Sequence, residues 1–203
     1  MSLVLRAPPL LLPLIAAVAV CDLVGERARI KWPNDVVVAS ISDDDASPAS
    51  SPEGEGERDG DRGVGSSGRL AKLAGILIEG RPQEHWAVLG IGVNVAVRLE
   101  DLPAELRAER VEGLPAATLG LANADVEPAL ARLLGALAGR LEETAEATLQ
   151  AWRARDALVG REISWTGGSG RARGIDGEGR LLVALANGGQ LALGAGEVHL
   201  RLD

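Results

Sequence analysis

Two lysines are the most telling residues of this sequence. Of its 21 basic side chains only Lys31 and Lys72 are lysines, and the rest are arginines. A chain this biased toward arginine uses the guanidinium wherever a general surface cation serves. Lysine is a compact point charge with three rotatable donors, whereas guanidinium is a wide planar fork. The two lysines therefore point to a tight anion site, against the plain alternative that they persist by chance. Lys31 opens the run Lys31-Trp32-Pro33-Asn34-Asp35, and Lys72 opens Lys72-Leu73-Ala74-Gly75-Ile76-Leu77-Ile78-Glu79. Pro33 fixes its own φ and pushes Trp32 toward an extended conformation, so the first run is a stiff corner. Such a corner can hold the Asn34 amide and the Asp35 carboxylate in fixed directions, which suits metal-nucleotide or amine handling. Read alone, the same residues make an Asx-type turn joining two strands. A third run, Gly90-Ile91-Gly92-Val93-Asn94, would let a ligand or another backbone come close within a strand. It is a weak signal by itself, because the third glycine and the helix of a dinucleotide fingerprint are missing.

The elements that must position these residues can be read from hydrophobic periodicity. Residues 3–6 are expected as a strand with nothing before it to pair, and 10–25 as a buried helix with Pro13 in its first turn. Arg29–Trp32 and Val36–Val38 read as short strands on either side of the corner. Lys72–Glu79 and Trp86–Val95 are nearly continuous apolar runs bounded by Gly80 and Pro82, and are expected as adjacent buried strands. Residues 126–152 carry a helical repeat, with Leu130, Leu133, Leu134, Leu137, Leu141, Leu149 and Trp152 on one broad face and Asp125 as N-cap. Beyond 158 the pattern changes to five short strands (162–165, 171–175, 181–185, 190–193 and 197–202) separated by glycine-rich turns. That pattern predicts a small antiparallel barrel.

Composition narrows the function classes. The net charge of −8 is concentrated in residues 43–62, where eight carboxylates face only Arg58 and Arg62. The surrounding stretch 40–68 is Ser, Asp, Glu, Gly and Pro with almost no apolar content. It is expected to be a disordered acidic insertion, since it cannot bury enough surface to offset ordering entropy. No basic patch is dense enough for duplex DNA. Four Trp with no Phe or Tyr argue against an aromatic platform for single strands. The sequence shows no Walker loop, zinc-ligand cluster or serine-nucleophile elbow, and no metal ligand is assigned. His85 and His199 read as structural, and the single cysteine, Cys21, excludes an internal disulfide. Residues 7–21 could pass for a secretory segment ending at a lipoprotein-type cysteine. Three interrupting prolines and the short length favour a core helix and a cytoplasmic protein without a membrane anchor.

In this order the three runs resemble the consecutive signatures of biotin–protein ligases. Gly196-Glu197-Val198-His199-Leu200-Arg201 is similar to the end of that family's small barrel. The resemblance spans nearly the whole chain apart from the acidic insertion. It implies an α+β fold, a mixed sheet with flanking helices as in class II synthetases and lipoate ligases, followed by an SH3-like β-barrel. The catalytic domain would be residues 1–156, interrupted by 40–68, and the barrel 157–203.

The resemblance also implies an ATP-dependent reaction: biotin is activated as biotinyl-5′-AMP and passed to a lysine of a biotin carboxyl carrier protein. Lys72 would be catalytic and contact the biotin carboxylate and the α-phosphate; Asp35 would be catalytic and orient the metal-nucleotide or the incoming amine. Gly75, Ile76 and Leu77 would line the biotin site. Lys31, Asn34 and Asn94 would serve the nucleotide, with Mg²⁺ travelling on ATP, and a homodimer is compatible with the family. The family's Gly/Arg-rich lid loop lies upstream of the strand matching residues 3–6. The expectation is thus a catalytic domain incomplete at its N-terminus, in which adenylate formation is crippled and adenylate leaks away. No DNA-binding helix-turn-helix precedes it, so no DNA partner is expected. Two alternatives stay open: a weak or inactive biotin- or carrier-binding module of the same fold, and a lipoate-ligase-like activity, disfavoured by the C-terminal barrel.

Overall fold

The structure, a computed structural model, describes residues 1–39, 69–81, 85–103, 114–195 and 201–202. The expected acidic insertion at 40–68 lies outside the described residues. Five strands form the first sheet: β1 (Ser2–Arg6), β2 (Arg29–Lys31), β3 (Asp35–Ala39), β4 (Leu70–Arg81) and β5 (Trp86–Val93), in the order β1-β5-β4-β3-β2. All four pairings are antiparallel. The parallel part of the expected mixed sheet is confined to two single bridges, Ile30 to Asp156 and Lys72 to Ala116. Strand β1, for which the sequence offered no earlier partner, pairs along its whole length with the later β5.

One face of this sheet is covered by α1 (Leu12–Val24), with Pro13 in its first turn as expected. Ten of its thirteen residues are buried, so the helix is apolar all round rather than amphipathic, as a helix at the centre of a core must be. Cys21 is fully buried in it, and burial pushes its thiol up to about 12. Two helices, α2 (Val126–Leu141) and α3 (Ala145–Arg153), pack against α1. The sequence reading of one continuous helix over 126–152 is therefore corrected. The chain breaks at Glu142–Thr144, and Thr144 Oγ1 caps the second helix by accepting from Ala147 N at 3.2 Å. Leu133, Leu137, Leu149 and Trp152 are buried as predicted, but Leu130 and Leu134 are each 39% exposed. Asp125 makes no side-chain cap to α2; its Oδ2 accepts from Ala122 N instead.

The C-terminal strands β6 (Glu162–Trp165), β7 (Gly168–Ile175), β8 (Leu181–Ala184), β9 (Gln190–Leu193) and β10 (Arg201–Leu202) pair antiparallel in the order β10-β6-β7-β8-β9. Five strands stand where five were expected. Among the described residues their sheet is open, with β9 and β10 as its edges, rather than closed into a barrel. Leu158, Ile163, Leu181 and Val183 join the same buried cluster as α1 and the first sheet. No helix among the described residues is long and apolar enough to cross a membrane.

These placements predict unequal costs along α2. Leu137→Ala should lower unfolding free energy by about 2–5 kcal/mol, whereas Leu134→Ala should cost less than about 1 kcal/mol. Denaturant titration of both variants checks the contrast.

Candidate active site

The face of the first sheet turned away from α1 holds the site. Strand β4 reaches it through a β-bulge: Val36 pairs with Ala74 but Val37 pairs with Lys72, so Leu73 is an extra residue opposite the Val36–Val37 step. A one-residue slip moves side chains to the other face of a sheet. Leu73 and Ala74 are consequently both buried, while Lys72 shares a face with Gly75 and the exposed Leu77. Without the bulge, Lys72 would fall on the face of Ala74 and Ile76, in the core.

The bulge brings Lys72 beside Asp35, which opens β3 opposite Gly75. Lys72 Nζ lies 2.6 Å from Asp35 Oδ1, and Lys31 Nζ lies 4.0 Å from Asp35 Oδ2. Both lysines singled out by the sequence thus converge on one carboxylate. The Lys72 contact is an ion pair without hydrogen-bond alignment, so Oδ1 is buried with no hydrogen-bond partner among the described residues. The two ammonium groups differ in setting. Lys72 has a side chain 46% exposed, whereas Lys31 is buried. Burial is the main cause that pulls the Lys31 pKa below its ordinary 10.5; Asp35 opposes the fall and the like charge of Lys72 adds to it.

The corner between β2 and β3 is pinned from several sides. The Trp32–Pro33 peptide is cis. Asn34 exchanges two hydrogen bonds with the Ile76 backbone, Nδ2 to O and O from N, both at 2.9 Å. Across β4, residues 114–117 take over the edge where β5 ends: Lys72 N donates to Pro115 O and Ala117 N donates to Lys72 O, both at 2.7 Å. Asn94 Nδ2 donates to Ala117 O at 2.8 Å, bracing the same segment.

Two cavities flank Lys72. One, of about 390 Å³, is lined by Met1, Asn34, Gly75, Ile76, Leu77 and the Gly90–Gly92 strand end. The other, of about 360 Å³, is lined by Leu73–Gly75, Gly92–Asn94, Leu102, Leu114 and Ala116. Lys72, Gly75 and Gly92 belong to both. A Cβ on Gly92 would meet nothing within 4 Å, whereas one on Gly75 would stand 3.4 Å from Lys72 Cε. The glycines therefore keep the common floor of the two spaces clear.

Each predicted site residue can now be located. Lys72, Asp35, Lys31, Gly75 and Asn34 are brought together. Ile76 is buried toward the core and offers the first cavity little more than backbone, while Leu77 faces it openly. Asn34, expected at the nucleotide, lines the first cavity and not the second; Asn94 lines the second; Lys31 lines neither and sits behind Asp35. The sequence reading missed Gly92 as the shared floor, although it lies within the run Gly90–Asn94, and missed Leu102, Leu114 and Ala116, which carry no chemical signature. Among the described residues, no group of three or more His, Cys, Asp or Glu could hold a metal ion.

Lys31 supplies a signed prediction. Its ammonium should titrate below 10.5, lower still in Asp35→Asn, which removes the favourable charge, and higher in Lys72→Met, which removes the repulsive one. Unfolded chains would then bind more protons than folded ones between the folded value and 10.5, so this residue's contribution makes stability rise with pH across that window. With only two lysines in the chain, side-chain ¹³C resonances report each directly; a Lys31 midpoint at or above 10.5 would contradict the assignment of burial as the leading cause.

Comparison with known proteins bears on this geometry. Residues 160–201 match the family model described as biotin protein ligase C terminal domain. No curated protein sequence matches the chain. Among solved structures, the biotin protein ligase from Aquifex aeolicus aligns over 98% of this chain and 81% of its own, at 21% identity and a TM-score of 0.68. The same protein in complex with biotin and ATP aligns over 100% of this chain and 77% of its own, at 21% identity and a TM-score of 0.69. A biotin protein ligase-like protein of unknown function from Silicibacter sp. TM1040 aligns over 95% and 76%, at 15% identity and 0.57. At these identities the likeness establishes the fold. The chain has the biotin protein ligase fold and ends in a segment that matches that family's C-terminal domain.

Proposed function

We propose that this chain is an ATP-dependent biotin–protein ligase, with residues 1–156 forming the catalytic part and 157–203 appended to it. It would form biotinyl-5′-AMP and pass the biotinyl group to a lysine of a biotin carboxyl carrier protein. The observation that carries the reading is Lys72 standing in the wall common to two cavities, backed by Asp35 and Lys31. Biotin occupies the space over Gly75 and Leu77, and the nucleotide occupies the space beside Asn94 and Ala116. Both reactants are anions, and bringing them together demands fixed positive charge.

In the first step a biotin carboxylate oxygen bonds to the α-phosphorus while the bond from that phosphorus to the pyrophosphate oxygen breaks. Lys72 offsets negative charge on both partners as they meet. In the second step the neutral carrier amine bonds to the acyl carbon, the acyl–oxygen bond breaks and AMP leaves. Asp35, freed from Lys72 when the ammonium turns to the anions, orients that amine and accepts its proton. Mg²⁺ belongs to this scheme as MgATP. The described residues of this site do not fit a resident metal, since Asp35 is a single carboxylate already facing two ammonium groups, and no step is assigned to the ion. Dependence on ATP and on a carrier protein supports a cytoplasmic location.

Purified protein given biotin, MgATP and carrier should release pyrophosphate, slowly, and yield streptavidin-reactive carrier. Lys72→Ala should slow turnover about 10²- to 10³-fold, and Lys72→Arg should not restore it, because the fork does not reproduce the point charge. Binding of biotin and ATP without pyrophosphate release, at saturation, would instead favour a binding module of the same fold.

A further inference from the structure

The C-terminal sheet touches the corner that carries the two charged groups of β2 and β3. Trp32 is 1% exposed, and its indole Nε1 donates to Gly179 O at 3.0 Å, a bond across 147 residues of sequence. Gly179 lies in the turn between β7 and β8 at φ 80°, and a Cβ there would come within 3.0 Å of Leu14 Cδ1 on α1. The turn is therefore both in a conformation that favours glycine and packed without slack. It is also braced from within. Asp176 Oδ1 accepts from Glu178 N and Arg180 N, both at 2.9 Å, and Asp176 Oδ2 pairs with Arg180 Nε at 2.7 Å.

Strand β2 needs such support. It is three residues long and, among the described residues, stands at the edge of its sheet, paired within it to β3 alone. Its outer side is held by two backbone bonds from the segment leading into the C-terminal sheet, Ile30 N to Arg155 O at 2.7 Å and Ala157 N to Ile30 O at 2.9 Å. Lys31, the next residue, is opposite Asp35 in the β2–β3 register. We infer that the Asp176–Arg180 turn is a positioning device for the Lys31–Asp35 corner, acting through Trp32 as a positioning residue. Two supports, the strand edge at Ile30 and the indole at Trp32, bracket Lys31 on either side and fix where its ammonium stands relative to Asp35. The functional consequence rests on the ligase reading; the mechanical coupling does not.

The experiment separates the two. In protein labelled with [¹³C]lysine, Lys31 and Lys72 give the only two lysine side-chain signals. Asp176→Ala removes the brace at a position that touches neither lysine. The Lys31 signal should shift, the Lys72 signal should move far less, and Asp176→Asn, which keeps the Oδ1 acceptor but loses the ion pair with Arg180, should shift Lys31 less than Asp176→Ala does. In a Trp32→Phe background Asp176→Ala should produce no further shift, since the connection is already cut. An unmoved Lys31 signal in folded Asp176→Ala, or full additivity with Trp32→Phe, would overturn the inference whatever the chain catalyses. If biotin activation is also measured, Asp176→Ala should raise KM for both biotin and MgATP about 3- to 10-fold, the worth of one ordinary hydrogen bond, because the corner carries Asn34 of the first cavity and Asp35 behind Lys72. A merely structural loss would lower the active fraction and leave both KM values alone.

Discussion

One carboxylate between two ammonium groups is the constraint from which the rest of this molecule follows. Asp35 faces Lys72 at 2.6 Å and Lys31 at 4.0 Å, and it offsets the repulsion between the two ammonium groups. The group as a whole carries a surplus positive charge. One of its members is buried and carries a lowered pKa, and another is half in solvent. Such a group is stable by itself yet still able to attract an anion, because the exposed ammonium can leave the carboxylate for a better partner. A fully matched pair would lack that surplus, and a bare pair of lysines would lack the carboxylate that offsets their repulsion.

Backbone devices rather than side-chain packing put the three groups together. A bulge in β4 turns Lys72 onto the open face; residues 114–117 clamp its peptide from the far edge; Asn34 ties the β2–β3 corner to Ile76. Glycines at 75 and 92 then leave the space around Lys72 unfilled, so that two cavities meet at one cation. The opposite face of the same sheet is buried against α1, with α2 and α3 packed outside that helix, which gives the site a rigid floor.

The parts of this arrangement that sequence reveals are those written in local residue chemistry. Scarce lysines, the Trp-Pro-Asn-Asp corner, the apolar strands and the buried α1 each have a physical signature within a few residues. The bulge does not: Leu73 and Ala74 belong to a continuous apolar run, in which no alternation marks the point where the register slips. The break between α2 and α3 is half legible. Glu142-Glu143-Thr144 carries a capping threonine, but leucines continue at helical spacing on both sides and conceal it. The nucleotide role of Asn34 is what the resemblance implies, whereas its place in the wall of the first cavity depends on a cross-strand bond to Ile76 that only the sheet register creates. The reach of Trp32 to Gly179 joins segments far apart in the chain and has no local trace at all.

Calorimetric titration of biotin alone and of ATP alone, into the native chain and Lys72→Ala, tests most directly whether a single cation serves both cavities. Lys72→Ala should weaken each ligand separately. Unaltered affinity of Lys72→Ala for either ligand would contradict a cation shared by the two cavities.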